Sequence, residues 1–224
     1  MTSPSTELPK LQAALRTPRS AAVAGIVFAV LFAMVVVLIR TVIPEDLNDA
    51  GTWVTAQDQR QRVILALDVL PFAGIAFLWF IGVVRDRLGA REDRFFATVF
   101  LGSGLLFIAM IFGAGAGLAS LLATAGSTPL SSDLWRFGRA FSVALMNVYA
   151  LRMAAVFTVA TTTLAGRLGL VPRWLTMLGY LTALVLMVTV GFIPGIEMLF
   201  PFWVLVLSAH ILISTLRGAP DGDR

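Results

Sequence analysis

Few side chains in this chain could do chemistry, and they lie inside or at the edges of apolar runs. Arg152 is the deepest of them. It stands twelve residues beyond Ala140 in the run from Phe137 to Leu164, roughly 18 Å along a helix at 1.5 Å per residue. A guanidinium at that depth requires partners from other segments. Asp68, six residues beyond Arg62, lies roughly 9 Å inside its own run. Asn147 and Arg139 share the run of Arg152, Arg40 closes the first run, and Glu197 opens the last. Glu197 is too shallow to reach Arg152. The spacing therefore predicts a contact between Asp68 and Arg152, direct or through water or Asn147, with Arg40, Arg139 and Glu197 as an outer ring. Pro71, three residues after Asp68, can bend its helix and free a backbone carbonyl beside the pair. Such a cluster can line an outward-facing polar cavity that binds a solute or relays protons. It can equally clamp the second helix to the fourth.

Composition removes other chemistries. There is no Cys, so disulfides and thiolate-held metals are excluded. A single His excludes a multi-histidine metal site and a haem held by two histidines. No metal or cofactor is expected. The net charge of +4 could suggest nucleic acid, but the cations sit between apolar runs and form no basic domain, so no nucleic acid is expected.

The one histidine, His210, lies in the last run, seven residues before Arg217. Six apolar runs with a histidine in the last invite comparison with rhomboid proteases, which carry a serine in a Gly-x-Ser-Gly setting on the fourth helix. Here that run offers Ser142 without flanking glycines, and Gly102-Ser103-Gly104 lies on the third. The comparison fails at the nucleophile. An aspartyl intramembrane protease needs two deep acids, and only Asp68 qualifies. No catalytic residue is assigned.

These residues must be positioned by membrane helices. The chain of 224 residues is 58% hydrophobic and 13% charged, against about 45–50% and about 25% in soluble domains. Six runs, at 21–43, 63–84, 95–123, 137–165, 174–193 and 197–216, approach or exceed the about 20 residues that cross a bilayer. They define an all-α bundle of six transmembrane helices over 21–216, with tails at 1–20 and 217–224. The third and fourth runs are long enough to require tilt or a protruding end. Pro44 stops the first helix. Ser131 or Ser132 with Asp133 suits the start of the fourth. Gly191 to Ile196, with its Pro194-Gly195 pair, makes a tight hairpin between the last two. Trp53 anchors the 44–62 loop at headgroup level.

Orientation follows from the cations. An even number of crossings puts both termini on one side. That side collects Lys10, Arg16, Arg19, Arg85, Arg87, Arg91, Arg94, Arg167, Arg173, Arg217 and Arg224. The other side has only Arg40, Arg60, Arg62, Arg136 and Arg139. Both termini are therefore expected in the cytoplasm. Sixteen Arg against one Lys suggests a GC-rich bacterial source and thus the cytoplasmic (inner) membrane. The mixed cluster from Arg85 to Arg94 serves as a topology signal.

Helix packing is the remaining theme. Gly113 and Gly117 have the small-xxx-small spacing that lets helices approach closely, within the chain or towards a protein partner or second copy. The hydroxyls of Thr161, Thr162 and Thr163 can bond back to their own helix. Three stretches, Arg16 to Val27, Leu70-Pro-Phe-Ala-Gly74 and Gly169-Leu-Val-Pro-Arg-Trp-Leu175, resemble uncharacterised multi-pass membrane proteins of actinobacteria. That resemblance implies no activity. The short loops and absent catalytic constellation favour a non-enzymatic accessory subunit or assembly partner of a membrane complex. A small-solute or ion transporter with a polar site at Asp68 and Arg152 is the second reading, and a lipid-active membrane enzyme using His210 and the outer acids is the third.

Overall fold

A computed structural model describes residues 18–43, 56–88, 94–127, 131–188 and 195–217. The tails, residues 44–55 around Trp53, the centre of the Arg85–Arg94 cluster and the Gly191–Pro194 part of the hairpin lie outside these residues. Every element within them is helical, as the apolar runs require. In chain order they are α1 (Pro18–Arg40), α2 (Gln57–Leu88), α3 (Arg94–Ser127), α4 (Ser132–Val143), a π-helical stretch (Ala144–Ala150), α5 (Leu151–Arg167), α6 (Arg173–Val188), a 3-10 turn (Ile196–Met198) and α7 (Leu199–Arg217). Five are long and apolar enough to cross a membrane, with α4, the π stretch and α5 counting as one run from Asp133 to Arg167. The described part of α6 is apolar but only 16 residues long.

Local chemistry sets the ends. Ser131 caps α4, its hydroxyl accepting from the Leu134 amide at 3.3 Å, and Asp133 lies in the first turn, favourably placed against the positive helix end. The end of α5 is closed by Gly169 at φ 67°. The Leu170 amide reaches back to Ala165 O at 2.9 Å and the Gly169 amide to Gly166 O at 3.1 Å, a paired C-cap that needs the left-handed glycine. Gly195, at φ 84°, leads into the 3-10 turn. The α2 helix runs unbroken through Pro71.

The five long runs and α6 form a ring in chain order. α1 packs on α2 and α7, α2 on α3, α3 on the α4–α5 run, α5 on α6, and α6 on α7. Contacts give the register and show neighbours antiparallel. Phe28 meets Phe77, Gly115 faces Leu70 while Gly104 faces Ile81, and Gly117 faces Ser142 while Gly104 also faces Phe157. Gly113 and Gly117 therefore serve the seam between α3 and the fourth span.

Aromatic rings fill the centre. Phe28, Phe77, Phe107, Phe157 and Phe200 are each fully buried. Phe77 lies 4.5–5.7 Å, centroid to centroid, from Phe28, Phe107, Phe157 and Phe200, within the range of favourable ring pairs. A smaller cluster of Val42, Val63, Leu118, Leu121, Leu122 and Trp135 closes the end that carries Arg40.

Candidate functional site

The ring order separates Asp68 from Arg152. α3 stands between α2 and the fourth span, and Asp68 is exposed on the outward side of α2. Arg152 is half-buried, and its Nη1 donates to Val148 O of its own helix at 3.0 Å. No ion pair or hydrogen bond joins the two residues, and Asn147, half-buried in the π stretch, bridges neither. The expected contact forms neither directly nor through Asn147. Helix register adds to the separation: Gly117 of α3, near the level of Asp68, faces Ser142, ten residues before Arg152. Depth along the helices carried no information about which way each side chain faces.

The wide turn explains how Arg152 is accommodated. Between Ala144 and Ala150 the backbone closes with one residue more per bond, the Leu151 amide reaching Met146 O. Such wide turns alter the phase between the two halves of a helix. Val148 O, inside the turn, accepts the guanidinium that sequence spacing assigned to another helix.

Two of the outer charges meet each other. Arg40 at the end of α1 forms an ion pair and hydrogen bond with Glu197 in the 3-10 turn. Glu197 is buried, while the Arg40 side chain keeps about a third of its surface exposed. Arg139 is buried on the inner face of α4 with Trp135. Both Arg40 and Glu197 were legible as end-of-helix charges, but their pairing needs the contact of first and last spans, which no local pattern announces.

His210 stands edge-on to Trp174, ring centroids 6.5 Å apart, and hydrogen-bonds no acid or serine among the described residues. Of the three consecutive threonines, only Thr161 bonds back to its own helix, to Phe157 O at 2.7 Å. Thr163 pairs with the Tyr180 hydroxyl at 3.0 Å. Thr162 instead presses against Gly179 of α6. The same device recurs where Ser208 meets Gly25 and Ser142 meets Gly117: each small hydroxyl fills the space left by a glycine on the neighbouring helix.

Asp68 is the most unusual of these placements. Ile64, Leu65, Phe72, Ile75 and Trp79 form the exposed face around it, with exposures of 37–63%. The run between Arg62 and Arg85 has the length of a bilayer core of ~30 Å, and Asp68 lies within it. A carboxyl group thus stands among side chains suited to hydrocarbon, with no hydrogen bond or ion pair among the described residues. No family model, curated protein or solved structure matches this chain.

Proposed function

We propose that this chain is a multi-pass protein of a bacterial cytoplasmic membrane, acting as a non-enzymatic accessory subunit or assembly partner of a membrane complex. The observation that carries this reading is Asp68, a carboxyl group on the outward apolar face of α2. An acid on a lipid-facing helix costs about 2.5–3.5 kcal/mol at the centre on insertion scales, and less at the shallower depth of Asp68. A partner helix that brings a lysine, arginine or strong hydrogen-bond donor to this depth removes that cost, so the face is suited to a second polypeptide. Both termini are assigned to the cytoplasm on the distribution of cations. A transporter has less support, because Asp68 and Arg152 do not meet and phenylalanine rings occupy the bundle axis.

The test is purification from native membranes in mild detergent, with a photo-crosslinking residue at Phe72. The wild type is expected to yield one discrete crosslinked partner, Asp68→Asn to retain part of it, and Asp68→Leu to lose it while its thermal unfolding stays unchanged or rises. A partner retained in full by Asp68→Leu, or a wild type that crosslinks only to lipid, would refute the assignment.

A further inference from the structure

At the opposite end from Glu197 a cleft of about 160 Å³ opens between α2, α5 and α7. Its apolar walls are Val84, Ala165, Leu170, Val171, Leu207 and Ile211. Thr161, Ser214 and Thr215 also line it, but their hydroxyls are committed as donors to their own helices. Thr161 bonds Phe157 O, and Ser214 and Thr215 both bond Ile211 O, at 2.7–2.9 Å. A water would need two to four polar partners to stay, and this lining offers few. The volume matches the roughly 150 Å³ of an apolar cavity that remains dry and admits a benzene-sized guest.

Three cations stand close along the chain to residues that line the cleft. Arg85 is adjacent to Val84, Arg173 lies two residues past Val171, and Arg217 two past Thr215. All three are exposed and form no ion pair among the described residues. The mouth is marked by Leu170 and Ser214, both exposed, whereas Leu207 at the far end is buried. The apolar cleft thus opens at an end of the bundle where three exposed arginines adjoin its lining segments, a combination suited to a phospholipid with a negative headgroup. In a bilayer an acyl chain gains nothing from merely leaving lipid. It gains by filling a gap whose walls lack contacts and by bringing its phosphate to cations.

We propose that the cleft binds one anionic phospholipid, a short segment of one acyl chain lying between α2, α5 and α7 and the phosphate reached by Arg85, Arg173 and Arg217. This does not rest on Asp68, which lies near the other end of α2. The test is native mass spectrometry of the full chain titrated with phosphatidylglycerol, phosphatidylcholine and inorganic phosphate. Phosphatidylglycerol is expected to be retained selectively as one copy. Arg173→Gln and Arg217→Gln should each weaken it about fivefold, the equivalent of about 1 kcal/mol per surface cation. Ser214→Phe, a change at the exposed mouth, should abolish selective retention without disturbing the packed interior. Arg136→Gln, at the other end of the bundle, should change nothing.

Equal retention of phosphatidylcholine, or an Arg136→Gln loss as large as that of Arg173→Gln, would overturn the site in favour of diffuse charge attraction. Unaltered binding by Ser214→Phe, or full competition by inorganic phosphate, would show that no chain enters the cleft.

Discussion

Glu197 illustrates how much one residue can do at a helix end. Its carboxylate is buried and joined to Arg40, so the first and last spans are tied where they meet. Removing one member of a buried pair leaves the other uncompensated, and 3–5 kcal/mol is common for fully buried cases. Because Arg40 is about a third exposed, Glu197→Gln is expected to cost less, about 1–3 kcal/mol. Arg40→Met with Glu197→Met should cost less than the two single losses combined, by a coupling of about 0.5–3 kcal/mol. Thermal unfolding of the four proteins in one detergent measures this. Strict additivity would show that the contact contributes nothing. The sequence identified both charges and their shared height, yet it paired Asp68 with Arg152 instead. The reason is physical. Lipid and helix core are both apolar, so Phe72, 63% exposed, and Phe77, fully buried, look alike along the chain. Periodicity cannot reveal the direction of Asp68 when both faces of its helix are greasy.

Helices were the legible level. Uninterrupted apolar stretches predict them because backbone amides in hydrocarbon must bond within the segment, and Ser131 with Asp133 marks the start of the fourth span by known capping chemistry; the glycine cap at Gly169 is added by the structure. The wide turn at Ala144–Ala150 was not legible, since none of its residues has a distinctive preference for that geometry. Glycine spacing pointed to close packing at Gly113 and Gly117, and the structure adds the partner. It also adds Gly179, where a methyl group would overlap Thr162. Gly179→Ala is therefore expected to destabilise the α5–α6 pair by about 1–3 kcal/mol, as overpacking generally does. Thr162→Ala should relieve most of that loss in the double variant, because it removes the atoms in conflict. If the double variant is no more stable than Gly179→Ala alone, this close approach is not what limits packing there.

At the scale of the whole molecule, the apolar helices close into a ring around a core of phenylalanines. The absence of Cys makes its orientation directly measurable. Asp133→Cys and Leu168→Cys place single thiols at exposed positions on opposite ends. In intact cells a membrane-impermeant maleimide should label Asp133→Cys at once and Leu168→Cys only after the membrane is opened. The reverse order would invert the cytoplasmic assignment, and immediate labelling of both would contradict a crossing between them.

Ring order also has a consequence for biogenesis. Each span from α2 to α6 packs against its immediate predecessor and successor, so those seams can form as the chain leaves the ribosome. The α1–α7 seam is different, because its two halves are separated by the rest of the synthesis. Until α7 enters the bilayer, Gly25 lacks Ser208 and Arg40 lacks Glu197, and the flank of α1 is covered by lipid alone. The nascent protein is thus an open crescent through most of its manufacture, and the seam joining Arg40 to Glu197 is the last to be sealed.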